Sequence, residues 1–303
     1  MASSPSVELS NGINGLSSVI LHQLANGFTY SAEILLYGGQ VISWMNQRGE
    51  ELLYQSERAV FEPPHPVRGG IPICFPRFFG FGDVEDHGFA RTRMWRLENL
   101  IDDMDFPPPG PDKAFADFIL DNMPDDFPHW PYNHRFELRL RVILAPCGDL
   151  TMISRVKNVN TNGEPFSFKF VYHTYFAVSN IRATQVEGLE GVGYVDCLEM
   201  HERFVQDDDP ITFVNELDRI YLNTPDEVTV RDRQYRRTYT ITKNAGLPDI
   251  VVYNPWDSRN LADLGNYEYT WMVCVEAAAV DKEITLNPDE EWTGMQRLSF
   301  MEF

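Results

Sequence analysis

Apolar side chains recur at every second residue through short runs along nearly all of this 303-residue chain. Such alternation fits a strand buried on one face, and no stretch keeps a helical period beyond about three turns. A chain patterned this way hides its apolar faces by stacking sheets, so the expectation is an all-β sandwich or barrel. In "VILHQLANGFTYSAEILLYGGQVISWM" the pair Asn26-Gly27 predicts a two-residue hairpin, followed by Phe28, Tyr30, Ala32, Ile34 and Leu36 on one face. "RFELRLRVIL" sets Phe136, Leu138, Leu140 and Val142 opposite Glu137, Arg139 and Arg141. Asn162-Gly163 separates "TMISRVKNVN" from "EPFSFKFVYHTYFAV". The linkers are short, so one domain is expected over 13–303, with 1–12 as a flexible tail. The acidic, proline-rich stretch from Asp102 to Trp130 reads as an excursion between strands, with a turn of helix at most.

Charge and cysteine usage narrow the function. A net charge of −20 and a pI near 4.6 argue against nucleic acid and anionic membrane surfaces as partners. An anionic substrate would need a local cluster of cations, and the stretch 68–96 supplies one with Arg68, Arg77, Arg91, Arg93 and Arg96. The same guanidinium groups could equally pair with nearby acids such as Glu85 and Asp86. Cys74, Cys147, Cys197 and Cys274 are scattered, which fits free thiols in a cytoplasmic protein. The N-terminus has no basic and apolar leader pattern, and no apolar run reaches the roughly 20 residues of a membrane span.

Two titratable groups stand out because they interrupt apolar strands. In "FKFVYHTYFAV", Phe168, Phe170, Tyr172, Thr174, Phe176 and Val178 share one face, and Lys169, Val171, His173, Tyr175 and Ala177 share the other. In "WMVCVEAAAV", Met272, Cys274, Glu276 and Ala278 share a face. A lone histidine there reads as a satisfied core group as readily as a functional one, and the glutamate as a strand-edge ion pair. Together they make a general acid and base on separate strands. The turn "NPWD" offers Trp256 for stacking on a sugar face or for plain packing. HExxH, paired cysteines, calcium loops, P-loops, GxGxxG and GxSxG are all absent from the sequence.

The segments "RGGIPICFP", "HGFAR", "VYHTYFAVSNI", "VEGLEG", "ITFVNELDRIYLNTP", "NPWD" and "MVCVEAAAV" occur in an order that resembles the aldose 1-epimerase family. The wording is most similar to its glucose-6-phosphate 1-epimerase branch, as found in plants. The resemblance runs from about residue 15 to residue 298. It implies a galactose-mutarotase-like antiparallel β-supersandwich, a monomer, and exchange of the α and β anomers of a hexose 6-phosphate without cofactor or metal. On the matching positions it implies His173 and Glu276 as catalytic residues and Arg68 and Arg91 as groups holding the substrate. It implies Asp218 as a sugar-binding carboxylate, and it places Asp86 and His87 at substrate contacts. Two positions depart from the family wording: Asp86 stands where many members have glutamine, and Arg77 adds a cation that is a candidate for an additional phosphate contact.

Anomer exchange requires a proton to leave O1 while another reaches the ring oxygen O5, and closure reverses both transfers. The expected roles are Glu276 as base on O1 and His173 as acid on O5, which needs a His173 pKa not far below its usual value. A mutarotase for free aldoses, or a non-catalytic sugar-phosphate binder, is the alternative on the same scaffold. A glycoside hydrolase would usually need two flanking carboxylates.

Overall fold

A computed structural model describes residues 4–78, 86–98, 107–121, 134–257 and 261–303. Among these the architecture is all-β, with three antiparallel sheets and a few short 3₁₀ turns. The first sheet is a four-strand meander of Ser4–Asn11, Ser17–Ala25, Phe28–Leu35 and Val41–Met45. Its hairpin turns at Asn26 and Gly27 with φ of 53° and 82°, the left-handed pair that a type I′ turn demands. Phe28 is exposed, whereas Ala32 and Ile34 are fully buried.

The other two sheets face each other. One runs from the edge strand Glu202–Val205 through Gly193–Asp196, Leu217–Tyr221, Asp249–Asn254, Met272–Leu286 and Phe166–Tyr172 to Ile73–Cys74. The other carries, in order, Thr184–Glu187, Glu227–Asp232, Arg237–Lys243, Glu291–Glu302, Leu150–Asn158, Phe136–Leu144 and Ala114–Asp121, with short strands at either edge. Side chains from the two inner faces form one apolar core, in which Phe170, Tyr172, Val275 and Ala277 meet Met152, Val156, Tyr239 and Leu298. Within it Tyr172 donates to Ser154 Oγ at 2.7 Å, and the Phe176 and Tyr239 rings lie 4.9 Å apart. Asn162-Gly163 belongs to the crossing between these two sheets, since the strands on either side of it lie in different layers.

Two expectations need correction. The tail expected over 1–12 is instead a strand, Ser4–Asn11, paired along its whole length with Ser17–Ala25. Its side chains are mostly exposed (Leu9 by 68%), so main-chain hydrogen bonds rather than burial hold it. Within the 102–130 stretch, Ala114–Asp121 is a strand paired with Phe136–Leu144. Ala114, Ala116, Phe118 and Leu120 bury a continuous face that the surrounding prolines and acids conceal in the sequence. The rest of that stretch lies largely outside the described residues. Among the described residues no helix is long and apolar enough to cross a membrane, and all four cysteines are free thiols.

Candidate active site

The two faces of Met272–Leu286 separate cleanly. Val273, Val275, Ala277 and Ala279 join the inter-sheet core, while Cys274, Glu276, Ala278 and Val280 face outward. Tyr172 pairs with Ala277 and Tyr175 with Cys274, so the register between them sets His173 opposite Glu276. On the far side Val251 pairs with Glu276, and Tyr253 pairs with both Cys274 and Asp218. Alternation therefore brings His173, Glu276 and Asp218 to one outer face from three strands.

That face is the floor of a cleft of about 230 Å³. Arg68, Asp86, His87, Arg91, His173, Asp218 and Glu276 all line it, as do Phe78 and Tyr253. The structure thus gathers seven of the eight sequence-derived site residues. Arg77 is the exception: its side chain is exposed and does not line the cleft. Its neighbours Phe75 and Phe78 turn inward as apolar groups, leaving the charged residue between them to solvent. Trp256 packs on Tyr269 and under the Arg182 guanidinium, away from the cleft.

His173 and Glu276 are the buried pair of the floor, 5% and 1% exposed. His173 Nδ1 lies 3.1 Å from Glu276 Oε1, close enough for proton exchange but off the line of a formed hydrogen bond. The Tyr175 ring is stacked on the imidazole at 4.6 Å and 5°. Tyr175 accepts from Arg68 Nη1 at 2.9 Å, and Asp263 takes the other side of the guanidinium fork through two contacts of 3.1 Å. Arg68 is therefore committed to neighbours within the fold. Arg91 donates through Nη2 to the Asp86 carbonyl at 2.6 Å, and its buried Nε has no hydrogen-bond partner. His87 sits edge-on to His173 at 5.5 Å with a left-handed φ of 61°.

Electrostatics divide the cleft. Burial, followed by His87, Arg68 and Arg91, pushes His173 well below its usual pKa. Burial, with Asp218 behind it, pushes Glu276 well above the carboxylate range. Burial and the neighbouring Arg91 and Arg68 bring His87 down to about 3. The cations thus crowd the His173 end and the extra carboxylate the Glu276 end. The expectation that His173 keeps a near-normal pKa fails, because desolvation, His87 and two arginines all push it down.

Asp218 is raised from 3.8 to about 6, chiefly by burial and then by Glu216 and Asp196. A raised carboxyl favours the fold while protonated, and that contribution is lost as pH climbs from about 4 through about 6. Asp218→Asn removes the cost of ionisation. The variant should therefore be more stable than the parent above pH 6, by up to about 3 kcal/mol. Thermal melts between pH 4 and 8 check this: across the window the parent should lose more stability than the variant, the gap opening between pH 4 and 6.

Sequence reasoning gave no role to Tyr175, Asp263 or Tyr253. Tyr175 shares the His173 face by period two, which is a usable signal. Asp263 is a polar residue in a loop, and nothing local marks its pairing with a residue 195 positions away.

The match to family models decides what this site belongs to. Residues 21–299 match the aldose 1-epimerase model. The chain belongs to that family. It is an isomerase that interconverts sugar anomers. A protein of Cenchrus ciliaris, provisionally named a glucose-6-phosphate 1-epimerase, is 49% identical over 302 residues, covering 98% of this chain and 88% of the relative. An Escherichia coli protein with the same provisional name is 29% identical over 82% of this chain and 79% of its own length. Among solved structures, a Salmonella typhimurium protein described as a mutarotase superposes with a TM-score of 0.81 at 22% identity, covering 98% of this chain and 97% of that one. Galactose 1-epimerase from Lactobacillus acidophilus superposes with a TM-score of 0.70 at 14% identity over 99% of each chain. These superpositions bear out the galactose-mutarotase-like sandwich expected above.

Proposed function

We propose that this epimerase acts on D-glucose 6-phosphate, with His173 and Glu276 as its acid–base pair. The observation that carries the reading is their 3.1 Å separation on the cleft floor. O1 and O5 are bonded to the same carbon, so an acid and a base a hydrogen-bond length apart reach both at once. Glu276 removes the O1 proton while His173 protonates O5; the ring opens, the C1–C2 bond turns, and the two groups reverse roles on closure.

Substrate orientation follows from the charge division. C6 is joined to the ring beside O5, so a 6-phosphate falls at the cationic end near Arg91 and His87, and Asp218 meets hydroxyls at the other. Arg68 is held by Asp263 and Tyr175, which leaves Arg91 as the principal phosphate anchor. Burial disfavours the ionised form of either partner, whereas the reaction needs the proton on the imidazole. A phosphate offsets the field of Arg91 and Arg68 on His173 and so draws that proton to the imidazole, which is the reactive arrangement. The provisional names of the relatives agree with this substrate.

The commitment of Arg68 to Asp263 favours a second reading, a mutarotase for free aldoses. Arg91→Ala separates the two. If the substrate is phosphorylated, KM for glucose 6-phosphate should rise by about 10- to 100-fold, the scale of a lost charge-assisted contact. Exchange of free glucose, which has no phosphate to lose a contact, should not fall, because loss of Arg91 also relieves its field on His173. Equal rates on both sugars in the parent enzyme would overturn the phosphate reading. The reading includes a monomeric, cytoplasmic enzyme, consistent with four free thiols and an acidic surface.

A further inference from the structure

The acid–base pair leaves unused a buried thiol immediately behind the cleft floor. Cys274 is two residues before Glu276 on the same strand face, and its thiol is fully buried. Among the described residues, the Cys274 sulfur, one imidazole nitrogen of His173 and one carboxylate oxygen of Glu276 all lie within 4.8 Å of one another. His173 Nδ1 and Glu276 Oε2 are buried and have no hydrogen-bond partner. Two of the three ligand side chains line the cleft, so an ion can reach them from solvent.

Thiolate, imidazole and carboxylate form a donor set that suits zinc. Three protein ligands would leave a fourth position open toward the cleft. The local charge permits a cation. Asp263 pairs with Arg68 through the two 3.1 Å contacts and Asp218 adds negative charge beside Glu276, which together offset the cations Arg68 and Arg91 that face His173. Binding would release the thiol proton, and the carboxyl proton where present, to solvent.

We propose that the cleft floor is an inhibitory site for zinc or a similarly soft divalent cation, held by His173, Cys274 and Glu276. The ion and the reaction exclude each other, because two of the ligands are the acid–base pair. The inhibition arm rests on the roles proposed for that pair; the binding arm does not.

The test uses the full chain, with cobalt(II) as spectroscopic probe and zinc as inhibitor. Cobalt should produce a thiolate-to-metal absorption band in the parent protein and in Cys147→Ala, whose altered thiol is exposed elsewhere. The band should vanish in Cys274→Ala and in Cys274→Ser, the latter keeping the side-chain volume should the former fail to fold. Zinc should slow anomer exchange in the parent. In the Cys274 variants the zinc needed for half-inhibition, each measured against its own zinc-free rate, should rise roughly tenfold or more. No band in the parent at millimolar cobalt, a band that survives loss of Cys274, or equal zinc sensitivity in all proteins would each overturn the site. A normal cobalt result without any exchange of glucose 6-phosphate would instead count against the substrate assignment alone.

Discussion

Polarimetry of glucose 6-phosphate should show anomer exchange reduced by about 10²- to 10⁴-fold in His173→Ala and again in Glu276→Gln, the range for loss of one general acid or base. The two groups move one proton each in a single step. The double variant should therefore be little slower than the worse single one. The loss in Glu276→Gln should not come from unfolding. Glu276 is buried with its ionised form disfavoured, so a neutral amide of the same shape relieves a cost, and Glu276→Gln should melt no lower than the parent. Wild-type rates in either single variant would sink the assignment of the pair.

Gly70→Ala should be among the most damaging single methyl groups at the described glycines. Gly70 has φ +61°, and a Cβ built on it would sit 2.2 Å from the Val41 carbonyl oxygen, a backbone atom with no rotamer to yield. Its amide donates to the Tyr54 carbonyl at 2.8 Å and its carbonyl accepts from Tyr175 at 2.9 Å, so the residue cannot move alone. Strain and overpacking together should cost about 3–5 kcal/mol. The melting temperature should fall on the order of 10 °C. A variant melting within a degree or two of the parent would show that this loop has room to shift.

Much of this was legible in the chain. Period-two alternation marked the strands and, with the left-handed pair Asn26-Gly27, the first hairpin. The same period exposed the catalytic pair, because a titratable side chain inside an apolar strand is costly and invites a reason. What escaped was set by tertiary contact. Ser4–Asn11 is held by main-chain pairing, which leaves no side-chain signature. Ala114–Asp121 does alternate, but it is bounded by acids and prolines that read as loop. Arg77 and Arg91 are alike in local composition, and only the inward turn of Phe75 and Phe78 separates the solvent-facing cation from the cleft cation. The depressed pKa of His173 depends on burial and on arginines brought together from distant positions.

The strand bearing His173 is interrupted there, between Phe166–Tyr172 and Tyr175–Ala177. Across the gap its main chain is tied to the arginine-bearing loop instead: the His173 amide donates to the Pro72 carbonyl at 2.9 Å, and Tyr175 to Gly70. Loop 68–72 and residues 173–175 should therefore open together, with the amides of His173 and Tyr175 exchanging with solvent at a common rate. A ligand that quiets the loop would slow both amides together, so occupancy of the cleft should be readable from the backbone behind it as well as from the sugar within it.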